Sequence, residues 1–257
     1  MLELINRGSM LVVTHLPALA RIMAMLAVAP GFSFRQVPAQ VRVLLAFALA
    51  LAVAPLVEVP ASRLPPDPDA FVAILAGQVA LGLLIGLVAA LVLETVRYAG
   101  SFIELQAGLR AAQLMDPSQA TPTTLLGHLY YFTAVVVFFD LKGHHLLLTF
   151  LVGSFRTLPL GLTQAPVGLS GLLTDLMAAS FLLALGLALP VLAALLLTDL
   201  SFGLVARVVA RFNIFFVSLP AKMGITMVGL ALSAALLSHT LARLIALLTR
   251  DLLLFLP

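Results

Sequence analysis

A chain of 257 residues with 62% hydrophobic and only 10% charged side chains, and a mean hydropathy of +1.17, is too apolar for a water-soluble domain. Its net charge of +3 comes from Lys and Arg scattered singly, with no basic block or interleaved aromatics to grip a phosphate backbone, so nucleic-acid binding is not indicated. With no cysteine, disulfides and thiolate metal sites are excluded, and no compartment follows from that.

Lipid cannot hydrogen-bond a bare backbone, so only helices or a closed barrel cross a membrane, and the apolar runs here lack the alternation of barrel strands. The expected fold is therefore all-α, with about six hydrophobic helices plus amphipathic and broken segments and no soluble domain. The first ten residues look mildly signal-like. Their apolar continuation reaches Pro30, carries His15 and Arg21 and lacks a small-x-small cleavage site, so residues 11–29 are read as a retained helix, long enough at about 20 residues to span. A polar link with Arg35, Pro38 and Arg42 precedes a shorter run, 43–57. Residues 58–69, rich in proline and acids, read as an extended solvated loop. Residues 70–93 are the cleanest span and contain Gly82 and Gly86 at the spacing that lets helices approach closely, a match that chance also produces in so Gly- and Ala-rich a chain.

Residues 94–128 form the longest region without a lipid-soluble run. Glu94, Arg97, Ser101, Glu104 and Gly108 recur every three or four residues, predicting a helix over 94–112 with one polar stripe on which Arg97 reaches Glu94. Ala99, Gly100, Ala107, Ala111 and Ala112 flank the stripe and invite a close neighbour. Pro117 and Pro122 then forbid a helix, leaving a loop of Gln113, Leu114, Met115, Asp116, Pro117, Ser118, Gln119, Ala120, Thr121, Pro122 and Thr123. Two short runs follow, 125–139 and 146–152, around the polar turn Asp140 to His145. After a Gly/Pro-rich loop come a long run, 172–197, holding Asp175 and Pro190, and an amphipathic stretch, 199–213, with Asp199, Arg207 and Arg211. The run 214–237 is interrupted by Pro220 and Lys222, and a last piece begins at Leu241.

Arg21, Asp175 and Lys222 lie inside apolar runs, where an unpaired charge at mid-bilayer costs at least about 2.5–3.5 kcal/mol. Each is expected to face protein or water, through intramolecular packing or at a subunit interface or pore. Strict alternation of the spans distributes Lys and Arg evenly over the two sides, so the positive-inside rule gives no orientation and points to helices that do not all cross bare lipid.

Catalytic patterns are weak. Asp140, His144 and His145 lack the frame of a metal site. Ser170, in Gly168-Leu169-Ser170-Gly171, with the distant His239 resembles the dyad of rhomboid intramembrane proteases, but the chain has no Trp and so lacks the Trp-Arg signature of that family.

An ordered set of features is more specific. It comprises Ala20-Arg21, Ala29-Pro30, Val37-Pro38-Ala39 with Arg42, Gly82 to Gly86, Glu94 with Gly100, Gln106 to Gly108, and Asp116-Pro117 before a Thr/Pro loop. Gly143-His144, Ser154-Phe155 with Leu158-Pro159-Leu160, Ala165-Pro166, and the tail Asp199, Gly203, Arg207, Asn213, Phe215, Leu219-Pro220 and Lys222 follow in order. Over nearly its whole length the chain resembles the FliR/SctT family of type III export-gate subunits, with a more flagellar than injectisome look. It departs from the family at Ala210-Arg211, where Pro-Gln is usual. The resemblance implies no catalysis and no cofactor. It implies one export-gate domain over 1–257 that joins FliP-like and FliQ-like subunits, with an FlhB-like switch protein, in a helical ring of the bacterial inner membrane at the flagellar basal body. That ring conducts unfolded substrates, and the loop 113–123 helps to plug it. Arg21, Glu94, Arg97, Glu104, Asp175, Asp199, Arg207 and Lys222 are then candidates for subunit packing or buried charge. The alternative from the residues alone is a small-solute permease, motivated by the broken helices with Asp175 and Lys222 near membrane depth.

Overall fold

The computed structural model describes residues 2–34, 37–56, 67–109, 124–160, 169–208 and 214–255. Among them there are seven α-helices and no strand: α1 Leu2–Val28, α2 Ala39–Val53 followed by a 3-10 turn at Ala54–Leu56, α3 Pro68–Gln106, α4 Leu125–Asp140, α5 Gly143–Thr157, α6 Leu169–Val208 and α7 Ile214–Phe255. The expected all-α, membrane-type fold is thus observed.

The helices merge segments that composition separates. The span predicted at 70–93 and the polar stripe after it are one helix, α3, of 39 residues, and the runs 172–197 and 199–213 join over the described residues in the 40-residue α6. Likewise α7 runs 42 residues through Pro220 and Lys222 without a break. At about 1.5 Å per residue each of the three is roughly 58–63 Å long, about twice a bilayer's apolar core, so their charged portions are extensions of spans. By length and apolarity Pro68–Gln106, Leu173–Val208 and Phe216–Ser233 each suffice to cross a membrane, and α4 with α5 would add a fourth, interrupted span.

Local chemistry sets the ends. Pro68 opens α3 at the first helical position, where its missing N–H is not needed, and Asp69 in the first turn complements the helix dipole. At the far end Gly108 adopts φ +78°, the left-handed conformation of a C-cap glycine, and its N–H bonds the Leu105 carbonyl. The helix predicted to reach Ala112 therefore stops at Gln106. The polar turn between α4 and α5 contracts to Leu141 and Lys142, the latter left-handed at φ 56°, and His144 and His145 belong to the first turn of α5. Helix α2 begins at Ala39, four residues before the apolar run, because Pro38 precedes it and Arg42 reaches back to the Val37 carbonyl.

Two compact units divide the chain: Met1–Leu91, Lys142–Thr174 and Ala246–Pro257 make the first, Val92–Leu141 and Asp175–Ile245 the second. The first has a core of Ile22, Met25 and Leu26 from α1 and Ala29 just after it, Ala46, Ala50 and Val53 from α2, Ile85 from α3, and Leu147, Leu151 and Phe155 from α5. Gly82 and Gly86 set the α1–α3 distance. A Cβ on Gly82 would lie 2.9 Å from the Ala24 Cβ and closer still to the Arg21 carbonyl, and one on Gly86 would lie 2.6 Å from the Met25 carbonyl. This spacing motif is a packing device, since only glycine lets the two backbones meet this closely.

In the second unit the interior is drawn from α3 (Val96, Ala99, Ile103) and Ala107 just after it, α4 (Leu126, Tyr130, Ala134, Phe138), α6 (Ala184, Leu187, Val191, Leu195) and α7 (Leu237, Leu241). Phe102 meets Phe181 edge-to-face at 5.7 Å, joining α3 to α6. The Tyr130 and Ser233 hydroxyls are 2.5 Å apart and join α4 to α7. An apolar cleft of about 650 Å³ opens between α6 and α7, lined by Pro190, Ala194, Gly224 and Val228 among others. Large apolar side chains cover the outside: Leu44 and Phe47 on α2, Leu129, Phe132 and Val136 on α4, Leu189, Leu196 and Leu200 on α6, and Phe216, Val228 and Leu232 on α7 are exposed.

Candidate functional site

Three polar clusters stand out, each inside one compact unit, and each explains a charge in an apolar surrounding. The first is built on Arg21, which is fully buried. Its Nε donates to Gln78 Oε1 at 2.7 Å. Its Nη1 donates to the Ser154 carbonyl at 2.8 Å and to Ser154 Oγ at 3.0 Å, and its Nη2 donates to the Leu158 carbonyl at 2.7 Å. The guanidinium also lies over the Phe155 ring, 4.3 Å from its centroid. No carboxylate is among these partners. The cation instead meets carbonyls at the C-terminus of α5, the negative end of that helix's dipole, so neutral acceptors and a macrodipole serve as its counter-charge. Gln78 in turn donates Nε2 to the Leu160 carbonyl at 3.2 Å, so one amide and one guanidinium fasten α1, α3, α5 and the turn after α5. The Gly82 contact, one helical turn from Gln78, brings α3 near enough for this bond. Of the two alternatives left open by the sequence for Arg21, intramolecular packing is observed.

The second cluster is the polar stripe of α3. Arg97 pairs with Glu94 at 2.6 Å, as the spacing predicts, and both remain partly exposed. Ser101 Oγ donates to the Arg97 carbonyl at 3.0 Å. Glu104 departs from the stripe: it is 2% exposed, and its Oε2 accepts the Leu126 backbone N–H at 2.9 Å. The first N–H groups of a helix have no partner within it, and Thr124 at the N-cap makes no side-chain cap, so Glu104 caps α4 from another helix. The close approach that makes this possible runs through Gly100, where a Cβ would lie 2.8 Å from the Leu126 carbonyl, and Gly127, where one would lie 2.7 Å from Ser101 Oγ. The close neighbour at Gly100 is thus α4 of the same chain.

The third cluster joins the C-terminal turn of α3 to α6 and α7. Lys222 forms an ion pair with Asp199 Oδ1, Gln106 Nε2 donates to Asp199 Oδ2 at 3.0 Å, and Lys222 Nζ lies 3.5 Å from the Gln106 carbonyl. The Lys222 side chain is 14% exposed, so a charge within the span Phe216–Ser233 is neutralised inside its own unit, as the cost of an unpaired charge requires.

Asp175 and Arg207, near opposite ends of α6, are exposed and join none of these clusters. The predicted loop residues 113–123 and the Ser170 side chain lie outside the described residues; His239 is exposed on α7. Among the described residues no group of three or more His, Cys, Asp or Glu could hold a metal. Gln78, Gln106 and Ser154 carry these clusters, and charge-based reading passes over all three. For Gln78 the available signal was a lone amide in an apolar run, whereas Gln106 and Ser154 lie outside the apolar runs.

Polar side chains turned inward onto one another, with large apolar side chains facing outward along helices long enough to span, define a helical membrane protein. The sequence matches the family described as "Bacterial export proteins, family 1" over residues 12–248, and the chain belongs to that family. Among its relatives are the flagellar biosynthetic proteins FliR of Bacillus subtilis (strain 168), 33% identical over 82% of this chain and 82% of the relative, and of Escherichia coli (strain K12), 33% identical over 85% and 82%. The secretion system apparatus protein SsaT of Salmonella typhimurium is 28% identical over 61% of each chain.

Proposed function

We propose that this chain is a non-enzymatic structural subunit of the flagellar type III export gate in the bacterial inner membrane. In this reading residues 1–257 act as one export-gate domain, which packs with FliP-like and FliQ-like subunits and an FlhB-like protein around a conduit for unfolded substrates. The observation that carries it is the match along residues 12–248 to bacterial export proteins, with flagellar relatives aligned over four-fifths of the chain. The outward apolar faces support it: α6 exposes large apolar side chains from Met177 to Val208, about 46 Å of helix and more than a bilayer core, a surface that fits neighbouring helices as well as lipid.

In the same reading the loop of residues 113–123 closes the conduit at rest. Its proline-bounded sequence lies between α3 and α4 in the chain, and Glu104 holds the first turn of α4. Deleting residues 113–123 is expected to raise the resting conductance of the assembled gate in a planar bilayer; conductance equal to that of the intact gate would refute the plug. The exposed Asp175 and Arg207 remain available for contact with other subunits.

A further inference from the structure

We infer that residues 190–208 of α6 and 214–229 of α7 form an arm that pivots, at the level of Pro190 and Gly229, against the rest of the second unit. The inference concerns a motion of this chain and goes beyond the export-gate reading without depending on it.

Both helices are loosened at one level. Pro190 has no N–H, so α6 lacks the ladder bond that position 190 would donate to the Gly186 carbonyl, although the helix continues on both sides. A Cβ on Gly186 would meet nothing within 4 Å, so no neighbour in the chain requires glycine there, and its backbone freedom adds to the weakness. Gly229 on α7 is needed for the opposite reason, since a Cβ on it would lie 2.8 Å from the Val191 methyl carbons. That contact places the α7 glycine beside the α6 proline, and a glycine inside a helix loosens α7 as well.

Packing changes across the same level. On the near side α6 buries Leu176, Ala184, Leu187 and Ala188, and α7 buries Ser233, Leu237, Leu241 and Leu244. In the arm no described residue of α6 after Leu195 is buried, and between Phe216 and Gly229 Thr226 alone is. Only 11% of the span Phe216–Ser233 lies buried, against 44% for α3. The Thr226 hydroxyl meets no hydrogen-bonding group among the described residues, so even this inward contact is a costly one. The apolar cleft runs from Pro190 and Gly229 into the arm past Ala194 and Gly224, so bending meets free volume in place of close-packed side chains. What ties the arm to α3 is polar and local: the Gln106 amide on Asp199 and the Lys222 ammonium by the Gln106 carbonyl. An arm loosened at its base, lightly packed along its length and tied at one polar point swings when that tie is released.

The chain has no cysteine, so introduced pairs are spin-labelled in the full chain co-purified with partner subunits from which cysteine has been removed. Val136→Cys with Leu204→Cys spans the pivot, and Val136→Cys with Leu182→Cys stays on its near side; all three side chains are exposed. Lys222→Met is expected to broaden and shift the first distance distribution and to leave the second unchanged. Gly186→Ala with Pro190→Ala restores the missing ladder bond and is expected to abolish that response. Gln106→Ala, which keeps the ion pair, takes the place of Lys222→Met if the latter fails to assemble. An unchanged Val136–Leu204 distribution in the assembled variant overturns the pivot. So does an equal response with the ladder restored, or a Val136–Leu182 distribution that changes as much, which would mean general loosening of the unit.

Discussion

Replacing Arg21 by methionine, which keeps the length and apolar stem but removes every donor, strikes the best-defined polar cluster of the chain. Gln78 Oε1 and the Leu158 carbonyl would each lose the guanidinium hydrogen bond that serves them, whereas the Ser154 carbonyl keeps the Leu158 N–H and Ser154 Oγ keeps its bond to the Leu151 carbonyl. A buried acceptor left unserved costs about 1–3 kcal/mol; Gln78 Oε1 bears this in full and the part-buried Leu158 carbonyl only in part, so the two together cost about 2–4 kcal/mol. Loss of the cation at the α5 C-terminus adds up to about 2 kcal/mol, and relief of the guanidinium's own desolvation offsets part of the sum. A net loss of about 3–5 kcal/mol is expected, which for a chain of this size lowers the melting temperature by about 6–20 °C. Arg21→Lys keeps the charge but cannot reproduce the fork of donors, and is expected to fall between the two. The assay is thermal unfolding of the detergent-purified complex followed by circular dichroism. If Arg21→Met melted with the unaltered chain, the cluster would contribute nothing measurable and the account of the first unit would be wrong.

Gly82→Ala and Gly86→Ala each force α1 and α3 apart, and overpacking of this kind costs about 1–3 kcal/mol, visible as a lower melting temperature and lower yield from the membrane. Glu104→Ala removes the cap on α4 and is expected to cost about 1–2 kcal/mol in the same assay, whereas Glu104→Gln retains an acceptor and costs less. Leu197→Arg, on the exposed face of α6, leaves the interior untouched and is expected to reduce recovery of the assembled complex while causing little change in helix content by circular dichroism.

Much of this molecule was legible in its sequence because lipid leaves the backbone few options. Apolar runs identified the helices, and the three-to-four-residue spacing of Glu94 and Arg97 anticipated their ion pair. Segmentation by composition failed where helices outrun the bilayer: the charges after Leu93 and after Leu197 looked like boundaries, yet backbone hydrogen bonding continues regardless of whether side chains face lipid or water. The Gly108 stop was hidden because a glycine in a polar stripe reads equally as a helix position and as a cap. For Arg21, Glu104 and Lys222 the need for partners could be stated in advance, but not their identity. Arg21 found carbonyls and an amide in place of a carboxylate, and Glu104 found a backbone N–H, because helix ends act as charge partners that no residue type announces.

The central claim, that this chain works as one subunit of an export gate, is tested most directly by solubilising membranes in mild detergent, purifying the full chain by an affinity tag and weighing the product by native mass spectrometry. The account predicts a stable assembly containing FliP-like and FliQ-like membrane proteins in fixed ratio. A chain recovered alone and folded, and able to move a small solute across liposomes by itself, would contradict it.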